Sequence, residues 1–259
     1  MNKSIKILSF VSGLILSGCV TLYKPNPIHS PLLKYKGEGN ASAILGLSGS
    51  GLTNLQAAYA ISNHTGLMID GMYHNRRSTS SDSIIEKLNI FFAEAGAGYF
   101  TTFGAEKNGL FQCYAGGGYG SSKDIIHSSY PPSPEANAKY YNLFIQPGMG
   151  YVSKNIEVAL DLRANYVCLF DINAYLYNKF EWWNTNFNYY SGATLDFMNL
   201  EPSLTLKAGS DKIKGIIQVG VIIPAINSKS YFDVNSSSLL IGPLFKLSFG
   251  LSYSFGMKR

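Results

Sequence analysis

From Ile156 onward the chain alternates with a period of two. Ile156, Val158, Leu160, Leu162, Ala164, Tyr166, Cys168 and Phe170 fall on one side, and Glu157, Asp161, Arg163 and Asn165 on the other. That period belongs to an extended strand with one apolar and one polar face, and a helix does not keep it. The pattern returns over 199–207, where Leu200, Leu204 and Leu206 oppose Asn199, Glu201, Ser203, Thr205 and Lys207. It returns again where Ile213, Ile217, Val219, Val221 and Ile223 oppose Lys214 and Gln218. The last run sets Phe245, Leu247, Phe249, Leu251, Tyr253 and Phe255 against Lys246, Ser248, Gly250, Ser252 and Ser254. Weaker alternation places strands at 39–48, 53–62, 65–74, 89–103, 109–121 and 139–153. With 155–171, 195–208, 212–224 and 242–256, about ten strands are expected, an even number of the kind bacterial membrane barrels use.

The connections alternate in length. Short turns fall at 62–65, 104–108, 153–155 and 209–211, whereas long links run through 75–88, 122–138, 172–194 and 225–241; only the first outer link, around Gly49 to Gly51, is short. Short periplasmic turns and longer outer loops are the asymmetry of an outer-membrane barrel, with both termini on the short-turn side. Composition agrees: charged residues make up only 14% of the chain, while 18 Tyr, 15 Phe and 26 Gly are present. So little charge is unusual for a domain wetted on all sides. No internal apolar run is long enough for a membrane helix, so a closed barrel is the spanning structure that satisfies every backbone group. The expected fold is all-β, a transmembrane antiparallel up-and-down barrel over 39–259. On this map Leu160 and Leu162 face lipid near mid-membrane, and arginine there should cost far more than a change at Asn165.

The first eighteen residues have the parts of an export signal: Lys3 and Lys6, an apolar stretch from Ile7 to Leu16, then small residues. Leu16-Ser17-Gly18-Cys19 resembles the bacterial lipoprotein lipobox at every position. That resemblance implies removal of 1–18 and acylation of Cys19, leaving a mature chain of small positive charge. Residues 19–38, with Pro25, Pro27 and Pro31, then read as an extended lipidated tether in the periplasm. Val20 and Thr21 lack the Asp that resembles an inner-membrane retention signal, and no acidic cluster like a surface-export signal follows. The expected location is the outer membrane, with the lipid anchor on the periplasmic side.

The stretches YKPNPIHSPLLKYKGE, from Tyr23 to Glu38, and QAAYAISNHTGLMIDGMY, from Gln56 to Tyr73, resemble a family of uncharacterised outer-membrane β-barrel lipoproteins of Bacteroidota. The resemblance is concentrated in the first third of the chain. It implies a location and a fold, and it brings no catalytic residues with it.

Inward positions carry Asp70, Glu94, Glu157, Asp161 and Glu201 as acids and Arg163, Lys207, Lys214 and Lys246 as bases. Such a balance predicts a paired network that closes much of the lumen. Arg163 is expected to bridge Asp161 and Glu201 through its fork of donors, with Phe92, Tyr114 and Phe144 filling more of the space. Cys113 and Cys168 are expected to face lipid as free thiols, too far apart for a disulfide. His29, His64, His74 and His127 lack metal-ligand spacing and read as solvated, so no metal or other cofactor is implied. The Asp-x-Asp and Asp-x-His pairs of omptin-type barrel proteases are absent, which argues against an enzyme. AGGGYG, from Ala115 to Gly120, lacks the Lys-Ser/Thr of a phosphate loop and reads as glycine at a barrel bend or beside bulky lumen aromatics.

The most unusual local feature is YLYNKFEWWNTNFNYYSG, Tyr175 to Gly192. Its Trp182, Trp183, Tyr189 and Tyr190, interleaved with Asn178, Asn184, Asn186 and Asn188, suit contact with a surface glycan or protein. The bland alternative is an extension of the hairpin above the membrane. Membrane lipid is the other expected partner, and the mild charge points to no nucleic acid. The leading expectation is a structural or surface-interaction barrel. A narrow solute channel is its first rival, and a soluble lipid-tethered lipocalin-like barrel, with apolar faces turned inward, its second.

Overall fold

The computed structural model describes residues 22–46, 52–81, 84–128, 135–181, 184–227 and 245–256. The strands are β1 Gly39–Gly46, β2 Leu52–Ala60, β3 Thr65–Ser81, β4 Ile84–Phe103, β5 Gly109–Ser128, β6 Glu135–Val152, β7 Ile156–Glu181, β8 Asn184–Gly209, β9 Ile213–Val221, β10 Ile223–Asn227 and β11 Phe245–Phe255. All pairing is antiparallel: each of β1 to β8 pairs with the next strand in the chain, β10 pairs with β8, and β11 pairs with both β9 and β1, which closes the sheet. β9 and β10 are two pieces of one barrel strand. Ser203↔Gly220 and Leu200↔Ile223 belong to one continuous register across the gap at Ile222. In that register the gap begins opposite Pro202, which has no N–H to donate to the ladder. The result is a closed up-and-down barrel of 10 strands.

The alternation anticipated from sequence is present in space. β9 buries every second residue, from Lys214 to Gly220, and β6 does the same over most of its length. Polar residues point inward and apolar ones outward: Leu160 and Leu251 are each 62% exposed, whereas Arg163 is 0% exposed. This arrangement is the inverse of a soluble lipocalin-like barrel and overturns that alternative. Outward rings gather in two bands. Tyr59, Tyr99, Phe103, Phe111, Tyr151, Tyr253 and Phe255 lie toward the short turns, and Tyr73, Phe91, Tyr119, Tyr141 and Phe245 toward the loops. Between them sit Leu67, Ile69, Leu143, Ile145, Met149, Leu160 and Leu204, all exposed. An apolar belt between two aromatic girdles is the exterior of a membrane-spanning barrel.

Several loop-end boundaries differ from the sequence expectation. β3 and β4 run to Ser81 and Ile84, and β7 and β8 to Glu181 and Asn184, so much of the expected links 75–88 and 172–194 is paired strand. Toward the tip of β3 the sequence is polar at successive positions, Asn75, Arg76, Arg77 and Ser78. The hydrophobic alternation therefore fades while backbone pairing continues. On β7 the change coincides with a bulge: Asp171 has φ +53, and the β7–β8 register shifts between Leu169 and Ile172. Around it, Lys139 pairs with Asp171 at 2.9 Å, and Ser191 Oγ and the Gly192 amide donate to Asn173 Oδ1.

Leu160 lies in the belt, so Leu160→Arg is expected to cost ~2–4 kcal/mol, the range for a basic residue at a barrel's midplane. Refolding titrations against the parent and Leu160→Ile would measure it. Asn165 is not the mild position its polarity suggested. Its amide donates to Tyr23 Oη at 3.0 Å and to Glu201 Oε1 at 3.2 Å, and its Oδ1 accepts from Asn142 at 3.0 Å.

Candidate functional site

The lumen is occupied by the segment that the sequence placed outside the barrel. Residues 22–33, expected to form part of a periplasmic tether, run through the interior and are buried throughout. Prolines explain why such a segment suits this place. Pro25, Pro27 and Pro31 hold it extended and lack amide hydrogens, so fewer buried donors need partners. Its carbonyls are met by lumen side chains. Lys246 Nζ donates to Asn26 O (3.1 Å), Gln56 Nε2 to Pro27 O (3.1 Å) and Gln218 Nε2 to Ile28 O (2.7 Å). Gln146 Nε2 donates to His29 O (2.7 Å), Lys207 Nζ to Ser30 O (2.8 Å) and Asn40 Nδ2 to Pro31 O (2.5 Å). The amides of Ile28 and Leu32 donate to Gln218 and Gln112. Glutamine recurs because its amide group both donates and accepts, as a main chain requires.

Side chains of the segment extend the charge network. Asn26 Nδ2 donates to Glu94 Oε1 at 3.0 Å, His29 Nδ1 lies 2.8 Å from Asp70 Oδ1, and Ser30 Oγ donates to Asp161. All of the expected inward charges, Asp70, Glu94, Glu157, Asp161, Arg163, Glu201, Lys207, Lys214 and Lys246, are buried. Their pairing differs from the expectation. Arg163 does not bridge Asp161 and Glu201; it reaches across the lumen to Glu94, with N–H···O distances of 2.9 and 3.3 Å, and donates through Nε to Gln146 Oε1. Glu201 is the cross-strand Cα partner of Arg163, yet its carboxylate accepts from Lys246 at 2.7 Å. Asp161 is held by Ser30 and by Gln112 Nε2 at 2.9 Å, and Glu157 by Lys214 at 2.5 Å with Lys207 at 3.7 Å. Backbone register brings a pair level, but a long guanidinium settles on whichever carboxylate its fork fits across the bore.

Aromatic rings complete the filling. Phe92, Tyr114, Tyr140 and Phe144 are buried inside, with the Arg163 Cζ 4.1 Å from the centroid of the Phe144 ring. Together with backbone carbonyls of the flanking strands, they leave no room for side chains at Gly116 and Gly118 of AGGGYG. A Cβ on Gly116 would stand 2.8 Å from Phe144 Cζ, and one on Gly118 would stand 2.7 Å from Phe92 Cζ. Where the segment turns out of the lumen into β1, Gly37 has φ +86, which glycine adopts at no steric cost. The buried Glu38 carboxylate accepts the Lys34 amide there at 2.6 Å.

No family model and no curated protein matches the chain. Among solved structures it is similar to the translocator domain of autotransporter NalP from Neisseria meningitidis, at 12% identity and a TM-score of 0.46. That alignment covers 84% of this chain and 86% of that one.

Other expected positions fall as follows. Cys19, Trp182 and Trp183 lie outside the described residues, and Tyr189 and Tyr190 are placed by backbone alone, paired in β8 with Tyr175 and Ala174. His29 and His74 are buried, in contrast to the solvated reading of the histidines. Among the described residues no group of three or more His, Cys, Asp or Glu could hold a metal. Cys113 and Cys168 are free thiols; Cys168 is buried and Cys113 half-buried. Sequence reasoning missed Asn26, His29, Ser30 and the amides of Gln56, Gln112, Gln146 and Gln218. One signal was present: Leu22, Tyr23, Ile28, Leu32 and Leu33 are too apolar a set for a solvated linker.

Proposed function

We propose that the chain is an outer-membrane β-barrel lipoprotein whose role is structural or surface-interactive, with a lumen kept shut by its own amino-terminal segment. The observation that carries this reading is the segment 22–33, bound by its main chain and side chains to lumen groups on nearly every strand. A barrel built to pass solute needs a path, and here the axis is spent on buried hydrogen bonds and ion pairs. The lipobox supports lipid attachment at Cys19, and the resemblance to Bacteroidota barrel lipoproteins favours the same location. The long β7–β8 hairpin, rich in tyrosine and asparagine with Trp182 and Trp183 at its tip in sequence, is the candidate contact for a surface glycan or protein. No catalytic activity is assigned.

The test is Cys19→Ala. It should abolish incorporation of labelled palmitate, while the barrel still fractionates with the outer membrane, because the apolar belt inserts by itself. Undiminished palmitate labelling would remove the lipid assignment. A chain of residues 20–259 that stayed monomeric in buffer without detergent would remove the membrane one.

A further inference from the structure

The segment climbs the lumen in one direction. Leu33 packs with Ala58, Ala60 and Phe100 beside the short turns. Ser30 reaches Asp161, Asn26 reaches Glu94 and Lys246, and Tyr23 packs edge-on against Tyr140 and Phe197, at ring centroid distances of 5.3 and 5.5 Å. Leu22 belongs to a cluster with Leu88, Ala136, Ile172, Ala174 and Leu195, all in the loop-end half. Tyr140 is the chain neighbour of Tyr141, a member of the loop-end girdle, so Tyr23 already stands at the level of the membrane boundary on that side.

Reach then decides where the preceding chain can go. Tyr140 stands roughly twelve strand positions above Val152, which is about 30 Å of height once strand rise and tilt are combined. Cys19 precedes Leu22 by three residues, an extended reach of about 10 Å. From Leu22 that is far too short to regain the short-turn rim. The β1–β2 ladder reaches Gly46↔Leu52, level with His74 beside the girdle residue Tyr73, whereas the β3–β4 ladder continues to Ser81↔Ile84.

We infer that the chain ahead of Leu22 leaves the barrel at the loop-end mouth, so that the amino terminus lies on the opposite side of the membrane from the start of β1. An acylated Cys19 then anchors in the leaflet on the loop side rather than in the periplasmic leaflet that the sequence suggested. This builds on the outer-membrane lipoprotein reading and changes its geometry: the mature chain crosses the membrane once inside its own barrel before its first strand begins.

A short protease-recognition sequence inserted after Thr21 in the full chain, expressed with palmitate label, tests it. Added protease should release the label from the barrel in intact cells, at a rate comparable to that for the same sequence placed within 231–238. The same sequence in the 104–108 turn should be cut only after permeabilisation. Cutting after Thr21 only in permeabilised cells, or protection in both conditions, overturns the inference. If the 231–238 and 104–108 controls do not behave as assigned, the outer-membrane orientation itself fails. Thr21→Cys in a chain carrying Cys113→Ala and Cys168→Ala, compared with the same chain retaining Thr21 so that any labelling of Cys19 is subtracted, gives a second readout that needs no insertion. A membrane-impermeant maleimide should label it in intact cells, and labelling confined to permeabilised cells overturns the inference as well.

Discussion

Removing residues 22–33 is expected to turn an electrically quiet barrel into one that conducts. In the parent, the segment lies along the bore, and its carbonyls take up Gln56, Gln146, Gln218, Lys207 and Lys246. Without it those donors, together with Asp70 and Asp161, face an empty bore lined with charge. Such a bore fills with water, because a buried polar group without a partner costs about 1–3 kcal/mol and a charged one more. A ten-stranded barrel is wider than the eight-stranded kind that side chains alone fill, so hydration leaves a continuous path. Planar bilayers should show discrete, steady openings for the deletion variant and none for the parent at the same protein load. A synthetic peptide of residues 22–33 added to the variant should reduce them. Equal silence from parent and variant, with the variant folded by heat-modifiable migration, would show that side chains alone close the lumen. Large, long-lived openings from the parent would restore the narrow-channel reading.

The second large effect is expected at Arg163. Its side chain is completely buried, donates to both oxygens of Glu94 and to Gln146, and stacks on Phe144. Arg163→Ala takes the guanidinium from the Glu94 carboxylate, leaving the neutral amides of Asn26 and Asn142 among its donors. Breaking a buried pair by removing one partner costs about 3–5 kcal/mol, much of it the stranded charge. Refolding titrations should register a loss of that order. Arg163→Lys should fall between, since an ammonium keeps the charge but cannot serve Glu94 and Gln146 together through a planar fork. Adding Glu94→Gln to Arg163→Ala should recover part of the loss by removing the unpaired charge. An Arg163→Ala barrel that unfolds with the parent would show that water already solvates Glu94.

The strands and the inward charges were legible because burial on one face and lipid on the other impose a period of two, and that period survives in the sequence. The strand tops above Asn75 and beyond Asp171 were not, since pairing continues there without a strict apolar–polar alternation in the sequence. The partners of Arg163 were hidden for a different reason. Glu94 lies 69 residues away and several strands round the wall, a relation set by the tilt and bore of the closed barrel rather than by spacing. The segment 22–33 was the hardest to place. Its prolines are as much the mark of a solvated linker as of a buried extended chain, and its contacts to Gln218 and Lys246 span 190 and 220 residues. Only the apolar residues around the prolines, Leu22, Tyr23, Ile28, Leu32 and Leu33, told against a linker.

The seam between β1 and β11, from Gly39↔Phe255 to Gly46↔Ser248, joins the first strand of the barrel to the last. Its contacts have nearly the greatest sequence separation the barrel allows, so zipping it up carries a large share of the loop-closure entropy and is naturally late in assembly. The segment that fills the bore precedes the seam in the chain and is tied to it at both edges, by Asn40 on β1 and Lys246 on β11. A barrel wrapped around its own leading peptide has a template: the wall curls about an axis that is already there, and the last strand closes on a lined interior instead of on water.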